Sequence, residues 1–143
     1  MARDLRHMVK PTAFVPLEEI STVKNGSAID TYESDSQGYH YDSAYIEAGV
    51  AECGDDVTGV KVKIEEDNDS GFSNPTVAEG GEEKTIDEDN QARFQVRRSK
   101  RYLRAVVTPN EVDSPSGSSG EDVASVYVTG LLTNWIIPMP ITE

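Results

Sequence analysis

Apolar and polar positions alternate with a period of two in five separate stretches of the chain. Ala44, Ile46, Ala48 and Val50 alternate with Tyr45, Glu47 and Gly49, and Val60, Val62 and Ile64 alternate with Lys61, Lys63 and Glu65. Phe94 and Val96 sit between Arg93, Gln95 and Arg97. Leu103, Ala105 and Val107 alternate with Tyr102, Arg104 and Val106, and Ala124, Val126 and Val128 with Ser125, Tyr127 and Thr129. Such a period puts one face of a strand on a core and the other toward water. Shorter candidate strands lie at 27–31 and 84–87. The pieces between them are rich in Gly, Asn, Asp and Ser, as in Asp67-Asn68-Asp69-Ser70-Gly71 and Glu79-Gly80-Gly81-Glu82. These residues supply positive φ or bond their own backbone, so they interrupt strands. Apolar spacing of three and four never persists across three turns, which removes a helical reading. The pattern predicts an all-β chain, an antiparallel β-sandwich or barrel.

The two ends read differently. In residues 1–26, Pro11 and Pro16 interrupt an apolar series of Leu5, Met8, Val9, Phe14, Val15 and Leu17. Proline fixes φ and removes a donor, so this stretch is expected to be an extended N-terminal arm whose apolar residues anchor it to another surface. The domain proper is expected over 27–132, and 133–143 forms a proline-punctuated C-terminal tail carrying Trp135, Ile136 and Ile137. That tail either finishes the core as an edge strand, where proline is tolerated, or packs on a neighbouring subunit.

At 143 residues the chain is long enough for one domain with a real core. No run approaches the length of a membrane span, and Met-Ala-Arg-Asp-Leu-Arg at the start lacks the apolar stretch of a signal peptide. A soluble protein used without export is expected. Twenty-six acids against thirteen bases give −13, a field that repels nucleic acid and anionic membranes alike. The single cysteine, Cys53, excludes an intrachain disulfide, and two histidines are too few for most His-rich metal sites.

Three clusters carry candidate chemistry. The acidic runs Glu65–Gly71 and Asp87–Asn90 offer oxygen ligands of the kind calcium takes, but Gly71 stands where the third ligand of an EF-hand loop belongs. They read as solvated loops, and no metal or cofactor is assigned. The bases Arg93, Arg97, Arg98, Lys100, Arg101 and Arg104 fall within twelve residues of an otherwise acidic chain. Arg97, Arg98, Lys100 and Arg101 are expected to dock on an acidic patch of a partner or of another copy, because arginine forks pair carboxylates. Tyr39, Tyr41 and Tyr45 offer a minor carbohydrate-platform reading beside the ordinary one of sheet stabilisation. Neither His7 nor His40 has a nucleophile motif nearby, and Cys53 precedes Gly54-Asp55-Asp56, a setting that raises a thiol pKa. An enzyme is not expected.

Two segments carry a family likeness. Val60-Lys61-Val62-Lys63-Ile64-Glu65-Glu66-Asp67-Asn68-Asp69-Ser70-Gly71-Phe72, and later Arg98-Ser99-Lys100-Arg101-Tyr102-Leu103-Arg104-Ala105-Val106-Val107, resemble the strand-and-hairpin motifs of small virion proteins of tailed bacteriophages. The likeness spans roughly residues 25–130, while the acidic 114–122 loop, the arm and the tail depart from it. It implies a jelly-roll-like β-sandwich and a structural role, most simply as a capsid decoration or cement protein on the virion surface. The implied partners are the major capsid protein and further copies of the chain itself, with a trimer favoured. The resemblance leaves open a head–tail connector or tail-associated protein, and the tyrosines leave open a carbohydrate-binding adhesion module.

Overall fold

The period-two segments fold as strands. The computed structural model describes residues 9–34, 39–111 and 123–136. Within them lie β1 (Lys10–Ile20), β2 (Lys24–Asn25), β3 (Ile29–Asp30), β4 (Tyr32–Ser34), β5 (Tyr39–Cys53) and β6 (Val57–Asp67), then β7 (Thr76–Val77), β8 (Lys84–Ile86), β9 (Gln91–Arg97), β10 (Tyr102–Glu111) and β11 (Ala124–Ile136). No helix occurs among the described residues.

All pairings are antiparallel and build two sheets. In the first, β1 pairs β11, β11 pairs β5, and the far side of β5 carries β9 and, at its start, β4. In the second, β2 and β3 flank one side of β10, β10 pairs β6, and β7 and β8 line the far side of β6. Setting aside the three-residue β4 and counting β2 with β3 and β7 with β8 as single positions gives eight positions, ordered 1-8-3-6 in one sheet and 2-7-4-5 in the other. The two sheets share one buried cluster: Ile46, Phe94, Val128 and Leu132 from the first, with Val60, Val62, Ile64, Leu103 and Val107 from the second.

The expected arm, anchored on another surface, is corrected here. Residues 10–20 are extended, but they lie on the chain's own sheet, with Pro11 opposite Leu131 and Ile20 opposite Ala124. Phe14 and Val15 are both buried in the shared core. Adjacent residues of a regular strand face opposite ways; a register shift between Ala13 and Val15 turns both inward. The expectation failed because proline forbids a central strand but not an edge strand, and β1 is an edge. The tail boundary moves as well: β11 continues through Ile136, which stands opposite His40.

The two edges of the first sheet are closed by different means. On β1, two prolines and two register shifts interrupt the ladder. On β9, the segment from Ala78 to Lys84 covers the edge: Arg97 N donates to Glu79 O at 3.0 Å and Lys84 Nζ to Arg93 O at 2.5 Å. Gly80, at φ 85°, passes so near the Gln95 carbonyl that no side chain fits there.

Candidate functional site

The basic turn and the acidic strand end, which sequence treats as separate features, meet. Strand β6 pairs β10 so that Glu65 stands opposite Arg104 and Asp67 opposite Tyr102. Arg104 Nε and Nη2 donate to Glu65 Oε1 at 3.0 and 2.8 Å, Lys63 Nζ lies 3.1 Å from Glu65 Oε2, and Phe72 covers the guanidinium at 4.3 Å. Glu66 is buried and caps the turn: Ser99 N and Lys100 N donate to its Oε2 at 2.8 and 3.3 Å, and Ser99 Oγ donates to Oε1. Arg101 forks onto Asp30 with bonds of 2.9 and 2.7 Å. Its guanidinium lies 4.7 Å from the Tyr32 ring, and that of Arg98 lies 5.3 Å from it. Arg98 Nε also donates to the Tyr41 carbonyl, and Lys100 Nζ to Thr76 Oγ1 at 3.0 Å.

Arg98, Lys100 and Arg101, expected to face a partner, are therefore engaged within the chain. Of the four bases expected there, Arg97 alone keeps an open side chain, 72% exposed, with Asp42 at 3.8 Å. One signal for Glu66 lay in the sequence. It follows Val60, Val62 and Ile64 at the inward parity of the strand, and an acid buried at that parity needs donors.

The acidic loops likewise spend their carboxylates locally. Asp67 Oδ1 accepts from Asp69 N at 3.0 Å and Oδ2 from Asn74 N at 2.8 Å, and these backbone donors hold its carboxyl below the usual range. Asp69 is lowered by the Ser73 side chain and by Gly71 N. Asp30 is lowered too: burial raises it, but the bonds from Arg101 and Tyr32 N outweigh that. Among the described residues no three His, Cys, Asp or Glu side chains converge as a metal set. The Cys53 thiol is pushed up by burial and then by Glu88 and Asp87, acids from another loop than the Asp55-Asp56 pair that sequence singles out.

Of the other expected contact residues, Phe14 and Val15 belong to the core, while Val9 is exposed and Leu17 is 66% exposed. Trp135 stands opposite Tyr41 near the end of β11, and Leu5, Met8 and Ile137 lie outside the described residues. Of the tyrosines in the minor platform reading, Tyr41 is buried whereas Tyr45 is 40% exposed.

Tyr45 marks a surface that sequence reasoning did not single out, the outer face of the first sheet. Register places Pro11, Leu131, Tyr45 and Gln95 in one row across four strands, and Ala13, Thr129, Glu47 and Arg93 in the next. On the other side of the first row, Thr133, Ser43 and Arg97 stand in line. Ser43 is short between taller neighbours, and a depression of about 290 Å³ opens there, lined by Ser43, Tyr45, Gln95, Arg97, Thr133 and Asn134. Asn134 adopts φ 59°, and its Nδ2 donates to Ser43 Oγ at 3.1 Å. Neither the protein-family models nor the curated proteins searched contain a match to this chain.

Proposed function

We propose that this chain is a structural virion protein of a tailed phage, a decoration or cement protein that binds the major capsid lattice and stabilises the head. The observation that carries the reading is the strand order 1-8-3-6 and 2-7-4-5 over one shared core. We read it as a jelly-roll sandwich, an architecture used by viral capsid domains and also by lectins. Fold alone does not fix function. The motif likeness at 60–72 and 98–107 is what favours the virion over other users of the architecture.

With Phe14 and Val15 in the core, adhesion falls to side chains that remain outside. Leu17 and Val23 are both exposed and flank the Glu18–Lys24 ion pair of 3.2 Å, where β1 gives way to β2. Exposed apolar side chains at such an edge suit docking on a lattice, and repetition over symmetric copies adds avidity without strong single contacts. The net charge of −13 keeps densely displayed copies soluble.

The test is the copy number and position of the protein on purified particles, by quantitative mass spectrometry and electron cryomicroscopy. Many copies spread over the shell support decoration. A few copies in one ring at a vertex identify a connector, and absence from mature particles overturns the reading. Leu17→Glu with Val23→Glu is expected to lower shell occupancy while leaving the melting temperature of the free protein nearly unchanged.

A further inference from the structure

The geometry points to a second, independent property: the depression around Ser43 is a binding site for a neutral hexose unit of a glycan. Its shape follows from register. The Thr133–Ser43–Arg97 row and the Leu131–Tyr45–Gln95 row lie side by side on one face. Same-face rows are two residues apart, roughly 7 Å. The short Ser43 side chain leaves the space between them open, with Tyr45 and Gln95 on one side and Arg97, Thr133 and Asn134 on the other.

The lining selects the ligand by its chemistry. Ser43 and Thr133 carry hydroxyls, Gln95 and Asn134 carry carboxamides, and each of these groups both donates and accepts. A sugar ring presents hydroxyls that likewise do both, and a C–H face that an aromatic ring can cover. Tyr45 provides that ring in exposed form, and Leu131 beside it is 39% exposed. A cation finds no carboxylate in this lining and meets Arg97 instead. An anion finds one guanidinium that already faces Asp42, within a protein of net charge −13.

Asn134 is the sharpest feature. Alternation along β11 from the exposed Leu131 and the buried Leu132 would turn residue 134 inward. Its left-handed backbone, at φ 59°, instead leaves it exposed with its amide on Ser43. A non-glycine residue held there carries strain that a plain strand would not need, and such distortions re-aim side chains beside binding sites.

Saturation-transfer NMR on the whole protein with glucose, galactose, mannose and N-acetylglucosamine tests this, together with affinity electrophoresis in gels of neutral polysaccharides. Transfer to at least one sugar, weakened about tenfold by Tyr45→Ala, supports the site, since loss of an aromatic contact is worth that much. Ser43→Tyr, which fills the depression with a residue that suits a strand, is expected to abolish transfer without lowering the melting temperature. Absence of transfer to all four sugars, or transfer that both variants leave intact, overturns the proposal. Neither result bears on particle copy number, so this site and the virion reading stand or fall separately.

Discussion

Tyr127 occupies the space that a side chain at Gly49 would need. The two residues stand opposite each other on β11 and β5, Gln91 continues the row on β9, and Gln91 Nε2 donates to Tyr127 Oη at 2.8 Å. A Cβ at position 49 would strike the outer atoms of the ring. Those atoms can swing away, so Gly49→Ala should displace the ring and not the sheet. The expected cost is about 1 kcal/mol, the worth of one hydrogen bond and a cross-strand contact. In a Tyr127→Ala background the same change should cost nothing or stabilise slightly, because alanine restricts the unfolded chain more than glycine does. A double-mutant cycle by urea denaturation measures the difference.

Phe14 and Leu17, three residues apart on β1, should respond in opposite ways. Phe14 is fully buried, so Phe14→Ala should destabilise the isolated protein by about 3–5 kcal/mol. Leu17→Ala should stay within about 0.5 kcal/mol, as surface substitutions do. Thermal unfolding of both variants checks whether this segment is part of the domain or a tether.

Glu66→Ala would remove the buried acceptor shared by Ser99 N and Lys100 N in a partly exposed turn. A loss of about 1.5–3 kcal/mol is expected, the range for hydrogen bonds to a charged group. Glu66→Gln, which keeps an acceptor, should lose less. Chemical denaturation of the pair separates the charge from the bond.

Acid should weaken the fold through Asp30, Asp67 and Asp69, whose folded pKa values lie below the usual carboxylate value of about 3.9. A depressed carboxyl stabilises fully above its unfolded value, and that contribution is lost as pH falls through the folded one. The melting temperature should therefore drop below about pH 4. Asp30→Asn should flatten part of that drop by removing one of the three groups. A pH series of melts on both proteins gives the slopes.

Cys53 should alkylate slowly near neutral pH, since burial and then the charges of Glu88 and Asp87 disfavour its thiolate. Glu88→Gln should speed the reaction, read as the iodoacetamide rate against pH.

The alternation in 44–50, 60–65, 94–97, 102–107 and 124–129 was enough to place β5, β6, β9, β10 and β11, because period two is a local signal. The first strand is not legible in the sequence, because Pro11 and Pro16 look the same in a tether and on a sheet edge, and only pairing with β11 tells them apart. The charge clusters were visible but not their meeting. Arg104 and Glu65 are 39 residues apart, and register, not composition, sets them opposite each other. The depression at Ser43 needed three strands aligned before a short side chain between long ones became a hollow.

The prolines of β1 have a final consequence. A bare strand flank is a template for another molecule to add its own backbone, and crowding multiplies the chances. Positions 11 and 16 have no amide hydrogen to give, and the register shifts between Ala13 and Glu18 spoil the spacing that an incoming strand would need. Concentrated solutions of this protein should thus stay clear of fibrils for long periods, whatever else the copies do to one another.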